Sequence, residues 1–231
     1  MLSPDNIDNC LKPGVVINSD HPDVIRYASE TLGNTILTER EKAVKLYLRV
    51  RDEIRYNPYL PFSKPEHYLS SNVIRSKTGF CIPKAGLLCA VARATGIPAR
   101  IGFASVRNHL STRQLVAYLG TDLIVYHGFT ELRIEGKWIK ATPAFNAELC
   151  VLHKVPPLEF DGINDSIFHE FNSDKKKYME YTAFHGVYHD VPVDMILMEW
   201  KKAYGEDRVE KWIRMTESNN GELDFMKEDI I

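Results

Sequence analysis

The sequence predicts an α+β fold, with helices first and antiparallel strands in the middle of the chain. A helical stretch with apolar residues spaced three and four apart begins at Cys81. Two strand-like segments, 123–134 and 137–142, flank the short turn Glu135-Gly136. Because two residues suffice for a tight hairpin, we expect these two segments to pair.

Two earlier helices are predicted from their start signals. Asp20-His21-Pro22 precedes an apolar periodic run that stops at Gly33, and Thr38 forms a capping box with Glu41 before the second helix. Residues 57–77 are rich in proline and serine. This composition predicts a long ordered loop that could wall one side of a cleft.

The remaining segments alternate between clear and weak patterns. Residues 97–106 are typical of a strand, whereas the polar insertion 107–120 fits a short helix or a flap, and the pattern does not choose between them. Near the C-terminus, 178–182 is a strand candidate, and the segments 193–204 and 206–216 predict two final helices.

We expect a single compact domain with three parts. An N-terminal helical arm covers residues 1–36, the core covers 37–150, and a mostly helical extension, 151–231, packs on that core. The extension is expected to line or cover the cleft.

Composition excludes some partners. The 231 residues include 29 basic and 31 acidic side chains, so no strong field favours nucleic acid or an anionic membrane. The N-terminus lacks a basic start followed by an apolar run, and no stretch approaches the ~20 apolar residues that a membrane span needs. We therefore expect a soluble, cytoplasmic protein.

The four cysteines are expected to be free thiols, because no secretory signal indicates an oxidising compartment. They form no CxxC pair, and His185 and His189, four residues apart, lack an obvious further ligand. We therefore expect no metal and no cofactor.

Cys81 is the candidate nucleophile. Gly79 and Pro83 bracket a turn into a helix, which places Cys81 at the helix N-terminus. There, unpaired backbone N–H groups and the helix dipole favour a thiolate, so we expect a lowered thiol pKa. A cysteine nucleophile also needs a base, and His127 on the following strand could supply it. A small buried cysteine and a structural histidine are the alternatives.

Several blocks of this sequence resemble the transglutaminase-like family of cysteine enzymes. They are Gly79-Phe80-Cys81, the Arg-Ala-Thr-Gly-Ile-Pro-Ala-Arg run at 93–100, the stretch from His127 to Glu131, and Gly136-Lys137-Trp138. The resemblance spans about residues 40 to 146, less than half of the chain. It implies a papain-like Cys-His-Asp core and acyl transfer from an amide.

The third position departs from the family pattern. The aspartate of the family's Asp-Pro turn falls on Thr142, which lies before Pro143 and cannot supply a negative charge. A hydroxyl can still orient the His127 ring, and Asn146 and Asp161 are alternative orienting groups. Glu131 matches the family's strand glutamate, but four residues along a strand separate it from His127 by ~13 Å, so we interpret it as structural.

These features predict a cysteine-dependent acyl transfer with Cys81, His127 and Thr142 as catalytic residues. Peptides or small amides are the expected substrates, with water or an amine as acceptor. The backbone N–H of Cys81 and a side-chain donor (Tyr56, Asn57 or Asn72) would hold the oxyanion.

Two alternatives stay open: a biosynthetic acyltransferase with a thioester donor, and an inactive papain-like binding module, which Thr142 favours. Substrate identity, hydrolysis versus transfer, and oligomeric state are not encoded in any recognisable pattern.

Overall fold

The structure is a computed structural model, which describes residues 2–108, 111–168, 179–218 and 225–228. Within these ranges, the α-helices are α1 (Pro22–Leu32), α2 (Glu39–Glu53), α3 (Ser70–Ser76), α4 (Cys81–Ala94), α5 (Arg113–Leu119), α6 (Ala147–Leu152), α7 (Val193–Tyr204) and α8 (Glu206–Ser218). The strands are β1 (Arg55–Tyr56), β2 (Thr78–Gly79), β3 (Ala99–Asn108), β4 (Leu123–Ile134), β5 (Lys137–Ala141) and β6 (Met179–Tyr188).

An antiparallel sheet with strand order β5-β4-β3-β6 forms one layer, and α4 packs on it. The predicted α+β class and the pairing of β4 with β5 are confirmed. Glu135 and Gly136 both adopt positive φ, as a two-residue hairpin turn requires. The edge strand β6 comes from the C-terminal extension, so the extension contributes to the sheet as well as supplying helices.

The helix start signals act as predicted. The His21 side chain accepts the Asp23 N–H at the start of α1, and Thr38 forms the reciprocal capping box with Glu41 in α2. Helix α4 is buried on all sides from Cys81 to Arg93, because α1, α2 and α3 cover the faces that the sheet leaves free. Its position at the centre of the molecule fixes where Cys81 lies.

The prediction of an uninterrupted loop over residues 57–77 is wrong in its second half. Ser70–Ser76 is helical, and its Val73 side chain is buried where α3 packs against α4. Serine content argued for a loop, but tertiary burial of this short apolar face outweighs that weak local preference. The undecided insertion contains the short helix α5, capped by the Thr112 side chain. Residues 109, 110 and 178, which belong to predicted segments, lie outside the described residues.

None of the helices in the described ranges is long and apolar enough to cross a membrane.

Candidate active site

Cys81 is the first residue of α4 and is only 6% exposed. Burial raises the pKa of its thiol to about 11, although the backbone N–H groups of Gly128, Ile82 and Cys81 itself act in the opposite direction. The predicted donors at the helix N-terminus are therefore present, but the predicted lowering of the pKa is wrong. Removing the sulfur from water disfavours the thiolate more than three dipoles favour it.

His127 lies on β4, directly before the Gly128 N–H that points at the Cys81 sulfur. The strand and the helix N-terminus are in close contact here: a Cβ atom added at Gly128 would lie only 2.9 Å from the Cα of Ile82. Only glycine, which has no Cβ, fits this close approach. Burial lowers the pKa of His127 to about 3, so its imidazole is neutral. The thiol and the imidazole are thus both uncharged at neutral pH.

Thr142 follows β5 and is buried, with its carbonyl oxygen accepting the Tyr47 hydroxyl at 3.1 Å. Within the described ranges, Nδ1 of His127 has no hydrogen-bond partner, and Oγ1 of Thr142 has at most a long interaction with the Tyr181 hydroxyl. The hydrogen bond by which Thr142 would orient the imidazole through Nδ1 is therefore not formed in this structure. Because the buried Nδ1 atom has lost its hydrogen bonds to water without gaining one from the protein, it lowers the stability of the folded state.

The alternative orienting groups are engaged elsewhere. Asn146 Oδ1 accepts the backbone N–H of Tyr56 at 3.1 Å, and the Asp161 carboxylate accepts the backbone N–H groups of Ile163 and Asn164 in an exposed turn. Hydrogen bonds from Asn164 and Ile163 also lower the pKa of Asp161. These bonds hold Asn146 against β1 and Asp161 within its own turn.

Glu131 has the structural role expected of it. Its carboxylate accepts Nε of Arg100 at 2.8 Å, and the Arg100 guanidinium lies 4.2 Å from the centre of the Trp138 ring. This cluster ties β3, β4 and β5 together on the sheet.

The candidate oxyanion donors separate into two groups. Asn57 accepts the Tyr59 N–H, and the Asn72 amide donates to the Glu66 carbonyl, so both are committed to their own loop. Tyr56 lines the cavity that Cys81 also lines. Tyr56 is therefore the remaining side-chain candidate of the three.

A β-bulge precedes His127 on β4. Two residues, Val125 and Tyr126, stand opposite Ser105 of β3, and Tyr126 adopts φ of 57°, a left-handed conformation that is strained for an aromatic residue. Helix α7 binds the disrupted backbone, since Trp200 Nε1 donates to the Val125 carbonyl at 2.8 Å and the Tyr204 hydroxyl accepts the Val125 N–H at 2.7 Å. The extension therefore stabilises the bulge that sets the register of His127.

Two further side chains of the extension reach the site and were missed in the sequence. Phe168 packs edge-on against the His127 ring, with centroids 5.1 Å apart. Tyr181 accepts the Phe168 N–H at 3.4 Å and lies close to Thr142 and Cys81, while burial raises its pKa to about 12. Only the strand pattern around Tyr181 was visible in the sequence, and no signal marked Phe168.

Lys84, in the first turn of α4, is fully buried. Its Nζ donates to the carbonyl oxygens of Arg51, at 2.8 Å, and Ile54 at the C-terminal end of α2. Burial lowers its pKa to about 7. Lys84 thus binds the end of α2 to the helix turn that carries Cys81.

A cavity of about 70 Å³ opens in front of Cys81. Its walls combine the start of α4, helix α5, the bulge of β4 and the aromatic side chains Trp200, Tyr204 and Trp212 of α7 and α8. Cys81 at the start of α4 therefore borders an apolar space, and β4, which carries His127, contacts the same helix start through Gly128.

Comparison with known families agrees with this arrangement. The model of the transglutaminase-like superfamily matches residues 26–143, just over half of the chain. The protein therefore belongs to the transglutaminase-like superfamily, which supports cysteine-dependent peptidase or acyltransferase chemistry only at a coarse level.

Two solved structures are similar to this chain. A proposed cysteine protease from Cytophaga hutchinsonii is 17% identical, with a TM-score of 0.45 over 81% of this chain and 55% of that one. A proposed protease from Parabacteroides distasonis is 20% identical, with a TM-score of 0.39 over 59% of this chain and 25% of that one. The chain thus spans about half the length of the first. No curated protein matches it significantly.

Proposed function

We propose that the protein transfers an acyl group from an amide through a thioester on Cys81, with His127 as the base. The observation that carries this proposal is the meeting of the α4 N-terminus with β4, where the Gly128 N–H next to His127 points at the Cys81 sulfur beside a cavity. Peptides or small amides are the proposed substrates.

His127 would act as a general base rather than as half of a preformed ion pair, because both groups are neutral before substrate arrives. As the sulfur attacks the carbonyl carbon, its proton passes to the imidazole and then to the departing nitrogen. The C–N bond breaks, an amine or ammonia leaves, and a thioester remains. Water or a second amine attacks the thioester and releases the acyl group.

The oxyanion would form beside the N-terminus of α4, where backbone N–H groups already point at the sulfur. These dipoles are fixed in position and shielded from water, so they can stabilise developing negative charge without reorganisation. Thr142 is the proposed third residue, and it would bind the imidazolium only after a change of side-chain rotamer or ring orientation.

Release of amine from a panel of peptide amides tests the proposal. We expect Cys81→Ala to abolish turnover, because the variant cannot form the thioester. Cys89→Ala is the matched control: Cys89 is fully buried in the same helix, burial raises its pKa to about 12, and its loss should leave turnover intact. Turnover that survives in Cys81→Ala would overturn the assignment.

A catalytically inactive binding module is the second candidate, and the neutral thiol and the unpartnered His127 Nδ1 favour it. The rate of Cys81 alkylation by iodoacetamide, measured against pH by peptide mapping, separates the two. An inflection that remains near pH 11, together with no amide turnover, supports the binding module. Alkylation at pH values below that inflection that His127→Gln slows, as expected if the neutral imidazole accepts the thiol proton, supports the enzyme.

A further inference from the structure

The cavity in front of Cys81 has walls that carry no charge. Every described residue that lines it is apolar or aromatic, apart from the thiol and the tyrosine hydroxyls. A charged substrate group would lose its hydration here without gaining a partner, which opposes binding strongly.

The polar atoms of the α7 and α8 wall are already occupied. Trp200 Nε1 donates to Val125, Trp212 Nε1 donates to Tyr118, and the Tyr204 hydroxyl both accepts from Val125 and donates to Leu123. These side chains therefore present ring surface rather than hydrogen-bonding groups, which suits an aliphatic ligand.

The volume limits the size of that ligand. An apolar protein cavity of ~150 Å³ holds one benzene molecule, so by proportion 70 Å³ holds about three carbon atoms. A methyl side chain on the substrate would therefore leave part of the cavity empty, and a benzyl side chain would be larger than the cavity.

We infer that this cavity is the acyl-side specificity pocket, and that it selects an uncharged aliphatic group of about three carbons next to the attacked carbonyl. The inference rests on the proposed function of Cys81. Helices α7 and α8 add Trp200, Tyr204 and Trp212 to a wall whose other residues lie within the matched residues 26–143, so the extension contributes to this selectivity together with the core.

Four N-acetyl aminoacyl chloromethyl ketones, derived from alanine, valine, phenylalanine and glutamate, test it. The Cys81 sulfur bonds to the methylene carbon, chloride leaves, and the thiol proton is released to solvent. We expect the valine reagent to modify Cys81 at least about tenfold faster than the other three, since misfit of one or two carbons in an apolar pocket changes rates roughly 10–200-fold.

Leu119→Ala enlarges the pocket by truncating a wall residue of α5. In this variant, the rate of Cys81 modification by the phenylalanine reagent, divided by the rate with the valine reagent, should increase about tenfold. Leu48→Ala, which truncates a partly buried leucine of α2 away from the cavity, is the matched control and should leave the ratio unchanged.

Modification of Cys81 at equal rates by all four reagents, or fastest by the glutamate reagent, overturns the inference while leaving the nucleophile in place. If no reagent modifies Cys81, the proposed function fails instead. In that case, ligand-observed NMR of isobutyramide and succinamate with the Cys81→Ala variant tests the selectivity of the cavity separately. Selective binding of isobutyramide supports the inferred aliphatic pocket, and equal binding of the two ligands, or no binding, refutes it.

Discussion

Gly128→Ala should disrupt the contact on which the site depends. The added Cβ would lie 2.9 Å from Cα and 3.3 Å from N of Ile82, whereas ordinary contact begins at 3.4 Å. Both atoms are backbone atoms in the first turn of α4, so no rotamer change relieves the clash, and β4 and α4 must separate by about 0.5 Å (3.4 − 2.9).

Overpacking of this kind costs about 1–3 kcal/mol. For a chain of this size each kcal/mol lowers Tm by about 2–4 °C, so we expect a decrease of about 2–12 °C. The Gly128 N–H would also move away from the Cys81 sulfur, which removes one of the dipoles that oppose the rise in thiol pKa. Alkylation of Cys81 should therefore be slower at a given pH.

Thermal unfolding followed by circular dichroism, with Cys81 alkylation on the same samples, measures both effects. Gly86→Ala is the matched control, because its Cβ would make only ordinary contacts at 3.8 Å and alanine favours the interior of α4 by about 0.5–1 kcal/mol. The reasoning is refuted if Gly128→Ala has the Tm and alkylation rate of the wild type.

Two further predictions concern pH. The pKa of Lys84 is about 7 in the folded protein and about 10.5 in the unfolded chain, so between these pH values the unfolded chain binds more protons. The free energy of unfolding of the wild type should therefore rise with pH in this range, by up to about 1.4 kcal/mol per pH unit relative to Lys84→Met. Urea unfolding from pH 7 to 10 measures the difference, and parallel profiles would contradict it. His127 titrates near 3 when folded and near 6.5 when unfolded, so acid should destabilise the wild type more than His127→Gln between pH 6.5 and 3. Acid unfolding midpoints compare the two, and identical midpoints would count against a buried neutral imidazole.

Much of the core was predictable because its signals are local. The capping box at Thr38, the positive-φ turn at Glu135-Gly136 and the apolar spacing after Cys81 depend on interactions within a few residues. The same holds for α7 and α8, whose predicted bounds lie within two residues of the observed helices. Helix α3 was missed because its stability comes from packing on α4 rather than from its own sequence.

By itself the sequence determined which residues are available for chemistry: a cysteine at a helix start, a histidine on a strand, and threonine where the family has aspartate. Tertiary structure decided how those groups behave. Burial of Cys81 outweighs the helix dipole, the Thr142 hydroxyl makes no bond to the His127 Nδ1, and aromatic side chains from the distant extension complete the cavity wall. Desolvation and packing depend on atoms far apart in the chain, and for that reason no local pattern contained them.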